Sequence, residues 1–469
     1  MSKFRLKVHF TLCLFLILPL LADAQSNQKD EDAFYIRSIF DHALTSSNAY
    51  DWLYDLCKGI GARLSGSPQA AAAVNYTRQI MDTLQLDSVW LQPCEVPHWE
   101  RGKQEIVRVV NSSQIGSLPL KGVALGNSIG TPAGGITAEV VEVKTLDEVD
   151  ALGEAGVAGK IVFFNRPLDP THINTFRAYG GAVDQRGSGA SRAARYGAVG
   201  VLVRSMTTSL DDVPHTGSLR YDPDYPAIPA IAITTKDANL LSQLLENESV
   251  RVYMYSDSRM LSNKISYNVI GEIKGSEFPD EIIVVGGHLD SWDLGEGAHD
   301  DGTGCVQSMA VLQTLRQLGY QPKRTIRCVL FMNEENGLVG GRTYWQASDD
   351  KNEYHMAAIE SDRGGFTPRG FTAEGRDDVF KKKFKKATRW LPLLEPYGLT
   401  LSPGGSGADI SGLKSQGGLL FGLYPDSQRY FDYHHTDADR FETVNKREME
   451  LGAGAMTALV YLLDKYGLD

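Results

Sequence analysis

The chain has 469 residues, 42% hydrophobic and 22% charged, which is the composition of a globular protein with a full core. Disordered, collagenous and coiled-coil chains are thereby excluded, and about 150 residues per domain allows roughly two to four domains. Acidic residues outnumber basic ones by 58 to 47, a formal charge of −11 that repels phosphate backbones and argues for no nucleic acid partner.

Residues 1–24 read as a signal peptide. Lys3, Arg5 and Lys7 precede the uncharged run Phe10–Leu21, and Ala22-Asp23-Ala24 supplies a small-x-small cleavage site before Gln25. That run is too short to span a bilayer, which takes about 20 residues. No later stretch is long enough either. The expectation is an exported protein, periplasmic or extracellular, without stable membrane insertion. Beyond the signal lie Cys57, Cys94, Cys305 and Cys328. They are too few for a disulfide scaffold, although export permits a Cys57–Cys94 bridge.

From Asp32 to Leu86 the pattern is helical, interrupted at Gly59–Pro68, with a helix expected over Gln69–Leu84. Strands are expected at Val89–Val96 and Gln104–Val110. These segments make residues 25–118 the first part of a larger domain. In residues 119–263 short β-branched runs follow, at Ile136–Val143, Lys160–Phe164, Gly200–Val203 and Ala230–Thr234, separated by turn-rich segments. This stretch reads as an inserted β-rich domain. Within it, Ser188–Tyr196 reads as a surface helix.

Residues 264–469 form the second part of the larger domain. Ile282–Val285, Ile326–Met332, Met356–Ile359 and Gly418–Leu423 are apolar runs suited to strands buried on both faces. Helical spacing falls at Gly304–Leu318 and Arg447–Tyr466. The fold class is therefore α/β, a mostly parallel sheet covered by helices on both faces. The one basic run, Lys381–Lys386, reads as the wet face of a helix.

In open α/β sheets ligands bind beyond the carboxyl ends of the strands. After the four runs come Gly286-Gly287-His288-Leu289-Asp290, Asn333-Glu334-Glu335, Glu360-Ser361-Asp362 and a loop with His434-His435-Thr436. The helix at Gly304 is entered through Asp300-Asp301-Gly302. Taken singly, an Asp pair before a helix is a cap, and a Glu pair in a loop is solvated. Taken together, the strand ends gather carboxylates whose mutual repulsion calls for cations. Imidazole and carboxylate without cysteine suit zinc, or cobalt or manganese less well. His288 and Asp290 share a face in extended chain, so Asp290 can accept the second N–H of His288.

This ordered set resembles that of the dinuclear zinc exopeptidases, which include bacterial leucine-type aminopeptidases and glutamate carboxypeptidases. Gly286–Asp293 and Gly61–Ser67 resemble the plasma glutamate carboxypeptidase branch, also called carboxypeptidase Q. The insert is similar to a protease-associated domain through Gly159–Val162 and Tyr196–Gly200. The resemblance implies two zinc ions per chain, with His288 and Asp362 on one, Glu335 and His435 on the other, and Asp300 bridging. It implies Glu334 as the catalytic base, Asp301 as a buttress of the bridging carboxylate, and a cis peptide between Asp300 and Asp301. The last ligand lies between His434 and His435; the family ligand precedes Ser or Thr, which favours His435 and leaves His434 to the pocket or the oxyanion. Asp409 falls in a segment similar to one lining the substrate pocket. Arg363 reads equally as a substrate contact or a surface ion pair.

The implied activity is hydrolysis of terminal bonds in short peptide substrates, as an aminopeptidase or dipeptidase, with a carboxypeptidase releasing residues such as glutamate as the alternative. A serine hydrolase would need Gly-x-Ser-x-Gly as a strand-to-helix elbow; the one match, Gly126-Asn127-Ser128-Ile129-Gly130, falls in the Gly- and Pro-punctuated, turn-rich start of the insert and not in such an elbow. A glutaminyl cyclase-like transferase uses one zinc on this fold, and a non-catalytic binding protein on the scaffold should have lost ligands. The insert is left with three roles: capping the site, binding substrate, or forming a homodimer.

Overall fold

The computed structural model describes residues 30–468, so the expected signal segment lies outside the described residues. Two eight-stranded sheets organise the chain. The first runs in the order Ser88–Glu100, Arg259–Ile273, Arg324–Phe331, Phe278–His288, Tyr354–Glu360, Leu419–Pro425, Pro368–Gly375 and Thr400–Pro403. Its centre, from Arg324–Phe331 to Leu419–Pro425, is parallel. Antiparallel pairings frame that centre on both sides.

Alternation along the central strand explains why both faces are covered. Ile283 and Val285 enter one apolar cluster with Met309 and Leu459, from the helices Thr303–Gln317 and Lys446–Tyr466. Ile282 and Val284 enter another with Tyr344 from the helix Val339–Asp350. The register pairs His288 with Phe331, and Gly286 with Glu360, so the parallel strands end at one edge.

The second sheet runs Gly116–Leu120, Glu105–Ser112, Arg251–Ser256, Ile136–Val143, Ile161–Phe164, Gly200–Arg204, Ala230–Ile233 and Gly122–Ala124. Its middle pairings are parallel and carry the helices Leu146–Val157, Asp184–Ala194 and Thr235–Leu245. The segment is thus α/β as well as rich in strands. The strand expected at Gln104–Val110 forms, but pairs here and not with the first sheet. The chain leaves the first sheet after Glu100 and returns at Arg259.

Three local expectations change. The helix expected on the surface at Ser188–Tyr196 runs over Asp184–Ala194 and buries Arg186, Gly189, Ala190, Ala193 and Ala194. Lys383, within the basic run, is buried and donates to the Tyr354 hydroxyl at 2.8 Å. Cys57 and Cys94 are both buried free thiols, not a bridge.

Candidate active site

The edge where the parallel strands end is built for close approach. Gly286 and Gly287 precede His288 because a Cβ on either would collide: 2.5 Å from the Val329 carbonyl oxygen for the first, 2.2 Å from an Asp301 oxygen for the second. Arg63 is completely buried, and its guanidinium donates to the carbonyls of Leu289, Glu296 and Gly297 at 2.6, 2.7 and 2.8 Å. One side chain thereby fixes the loop between His288 and Asp300. Ser65 and Asn336 do the same for the glutamate loop: Asn333 donates to the Ser65 hydroxyl at 2.7 Å, and Ser65 donates to Asn336 at 2.9 Å.

These supports bring the predicted residues together. His288 Nε2 lies 3.2 Å from Asp300 and 3.4 Å from Asp362. His435 Nε2 lies 3.1 Å from Glu335 and 3.3 Å from the other oxygen of Asp300. Asp300 therefore stands between two half-sites, and the Asp300–Asp301 peptide is cis. His434 stacks on His435 with centroids 3.5 Å apart, its Nε2 3.8 Å from Asp300.

Two expected contacts differ. The His288 Nδ1 partner is the backbone carbonyl of Asp290 at 2.9 Å, with the nearer carboxylate oxygen 3.9 Å away. That carboxylate instead accepts the backbone N–H groups of Asn333 and Glu334 at 2.6 and 3.0 Å. It orders the loop carrying the two glutamates. Asp409 is completely buried and does not line the pocket, although Ser406, Gly407 and Ala408 do. Asp301 accepts from the backbone of His288 and Gly304, both at 3.0 Å, so it ties the strand end to the following helix. Arg363 has no ion-pair partner among the described residues: it lines the pocket wall and donates to Thr372 and the Gly405 carbonyl.

The electrostatics are those of a crowded anionic centre. Burial pushes the Glu334 carboxyl well above its usual range, with Asp362 and Glu335 adding to it, while Glu335 is pushed up to about 7 by burial and by Asp300. Asp300 would also rise on burial, but His288 and His435 hold it well below the carboxylate range. Despite burial, Glu335 and Asp300 raise His435 to about 9. One oxygen of Asp300 and one of Glu335 are buried without a hydrogen-bond partner. Three groups of these side chains, His288/Asp300/Glu335, His288/Asp301/Asp362 and Asp300/His434/His435, have donor atoms within 4.8 Å of one another. Such orphaned oxygens among imidazoles fit a metal centre, since buried polar atoms otherwise find partners.

The cavity above this centre, about 370 Å3, also contains residues that sequence reasoning missed. Phe176, Tyr179, Arg186 and Arg220 come from the segment of the second sheet. Arg186 is 7% exposed, donates to the Tyr179 hydroxyl at 2.6 Å and lies 3.4 Å from His435 Nδ1. His215 and Thr216 clamp the histidine loop: His215 bonds the His434 carbonyl at 2.8 Å, and the Thr216 N–H donates to the His435 carbonyl at 3.0 Å. Nothing in their local sequence marks these residues, because they reach the site only through the packing of the second sheet. Arg63 and Ser65 lay within the quoted Gly61–Ser67 stretch, and Asp439 lies four residues past His435.

Comparison with known proteins agrees with this architecture. Residues 268–460 match the family described as Peptidase family M28. The chain is 34% identical to Carboxypeptidase Q of Bos taurus over 89% of this chain and 85% of that one, and 35% identical to that of Xenopus laevis over 91% and 88%. A crystal structure of a peptidase M28 precursor from Shewanella amazonensis SB2B superposes with a TM-score of 0.86 at 33% identity, covering 93% of this chain and 97% of that one. An aminopeptidase from Aneurinibacillus sp. strain AM-1, at 21% identity and a TM-score of 0.62 over 90% and 95% of the two chains, shares the fold. The chain belongs to peptidase family M28 and is a metallo-exopeptidase.

Proposed function

We propose that the protein is an exported zinc dipeptidase that releases the N-terminal residue of dipeptides and short peptides. In this reading two zinc ions are held by His288 and Asp362 and by Glu335 and His435, with Asp300 shared. When bound, such ions polarise the scissile carbonyl and bring the pKa of a water to about 7. Glu334 faces the cavity and would serve as the base that takes a proton from the attacking water and returns it to the leaving amine. Such transfer is typically worth about 10²–10⁴-fold. Glu335 is a ligand and not a second base, because its carboxylate is engaged by His435. His434 is held neutral by burial and lines the cavity, so its N–H is available to a developing oxyanion.

The observation that carries the dipeptide reading is the polarity of the cavity. Asp300, Glu334, Glu335 and Asp362 line it together with the guanidinium-bearing Arg186, Arg220 and Arg363. The carboxylates can receive an α-ammonium. A fixed guanidinium suits the carboxylate at the far end of a two-residue substrate. The same arginines favour the second reading, a carboxypeptidase, which is also what the names of the relatives say of those proteins.

Three dipeptides separate the readings: one free at both ends, one N-acetylated and one C-amidated. Cleavage of the first alone supports a dipeptidase, and cleavage of the amide as well an aminopeptidase. Cleavage of the acetylated peptide without the amide reverses the assignment to carboxypeptidase. The second sheet and its helices we read as the inserted protease-associated unit; they contribute Arg186 to substrate binding and His215 and Thr216 to support of the site. Among the described residues no helix is long and apolar enough to cross a membrane. Residues 1–24 then serve as the export signal.

A further inference from the structure

The catalytic cavity does not end at Arg186. Arg220 lines it and also lines a second, more open cavity of about 450 Å3, beside the C-terminal half of the helix Asp184–Ala194. Three arginines face this second space: Arg192, Arg195 and Arg220. Their charges are not equally compensated. Arg192 pairs with Asp150, which also accepts from the Tyr196 hydroxyl at 3.1 Å. Arg195 lies over the Tyr196 ring at 5.4 Å, and neither it nor Arg220 has an ion-pair partner among the described residues. The one acid in the wall is Asp222, which accepts the Asp224 N–H at 3.0 Å through one carboxylate oxygen, so three guanidiniums share the wall with a single carboxylate.

The wall is built and not an accident of long side chains. Ser191 donates to the Arg220 carbonyl at 3.2 Å and accepts the Asp222 N–H at 2.8 Å, pinning the Arg220 loop to the helix. The helix C-terminus accounts for a cation at Arg195 through its dipole. It does not account for Arg220, which comes from a different segment. Two guanidiniums without an ion-pair partner among the described residues, in a cavity where arginines outnumber acids and in a chain of net charge −11, form a local anion-attracting site.

We propose that this cavity is a remote subsite that takes a carboxylate on the third residue of a short acidic peptide. The inference rests on the exopeptidase reading with the leaving residue towards Arg186. A peptide extended beyond that residue passes Arg220 and reaches Arg195. The enzyme then discriminates among tripeptides by charge at a position remote from the scissile bond.

The test compares Ala-Ala-Glu-amide with Ala-Ala-Gln-amide, which differ by one charge at the third residue. The wild type should favour the Glu peptide in kcat/KM by about fivefold at low salt, the upper range for solvent-exposed charge pairs. That ratio should fall towards one at about 0.5 M salt, and also in Arg195→Gln. Reading the ratio within each protein removes any general loss of activity. A ratio of one in the wild type, or one that survives in Arg195→Gln, overturns the proposal. So does inhibition by inorganic phosphate that needs Arg195 while the ratio stays at one, because the cavity then takes a free anion only. If Ala-Ala is cleaved and neither tripeptide is, the reach beyond the second residue is overturned; if none of the three is cleaved by zinc-loaded protein, the reading of N-terminal release fails instead. The subsite is then tested by calorimetric binding of the same pair, with the same Glu preference expected and its absence overturning the proposal.

Discussion

The Asp439 carboxylate holds the backbone of Asp300: it accepts the N–H of Asp300 at 3.1 Å and that of its neighbour His299 at 2.7 Å. Asp300 is the residue reached by both His288 and His435, so its placement sets the spacing of the two half-sites. Burial pushes the Asp439 carboxyl up to about 7, although those two N–H groups oppose the rise. A group at such a cost in desolvation is retained for what it positions.

Replacing that support should loosen the metal centre. Asp439→Ala is expected to weaken zinc retention by roughly 10–100-fold, the usual effect of losing a partner that orients a ligand. Competition with a chelator of known affinity measures it. Unchanged zinc affinity in a folded variant would remove Asp439 from the account of the site.

The adjacent glutamates should separate cleanly. Glu334→Gln is expected to lose about 10²–10⁴-fold in dipeptide turnover while keeping its zinc, because an amide cannot carry the proton. Glu335→Gln should lose zinc first. Elemental analysis beside a turnover assay reads both. Near-normal turnover in Glu334→Gln would mean that the base is misassigned.

Arg186 should matter only to substrates with a free carboxylate. Arg186→Gln is expected to lower kcat/KM for a free dipeptide by roughly 10–100-fold, the loss of one charge-assisted contact of about 1.5–3 kcal/mol. Turnover of the C-amidated dipeptide, however slow, should change far less. Equal losses on both substrates would assign Arg186 to the support of His435 alone.

A separate prediction concerns pH. His355 is buried between the Tyr344 hydroxyl, 2.7 Å from Nε2, and the Gln416 side chain, 2.9 Å from Nδ1. Burial pushes its imidazole down to about 4, against about 6.5 when unfolded. The unfolded chain therefore binds the extra proton first, so this contribution is complete above pH 6.5 and is lost as pH falls towards 4. It amounts to at most about 3 kcal/mol. Urea unfolding at several pH values should show a shallower acid decline for His355→Gln than for the wild type. Parallel declines would exclude His355 as a contributor.

The sequence by itself determined the alternation of strands and helices and the edge at which its polar residues gather. His288, Glu334, Glu335 and Asp362 each follow an apolar run. Such runs are strands buried on both faces, so the polar residues that follow each one fall at the sheet edge. The tertiary structure decided which strands pair and which distant groups meet. Glu105–Ser112 carries a good strand pattern, yet period-two alternation does not specify a partner, and it joins the second sheet. The Asp290 carboxylate turned to the glutamate loop because two backbone N–H groups there needed an acceptor, while a nearby carbonyl already satisfied His288. Arg186 lies more than 100 residues from every proposed ligand in sequence, and only the packing of the second sheet against the first brings its guanidinium beside His435. Local patterns encode exposure and period; contacts between remote segments arise from the shapes of the packed faces, which no single segment carries.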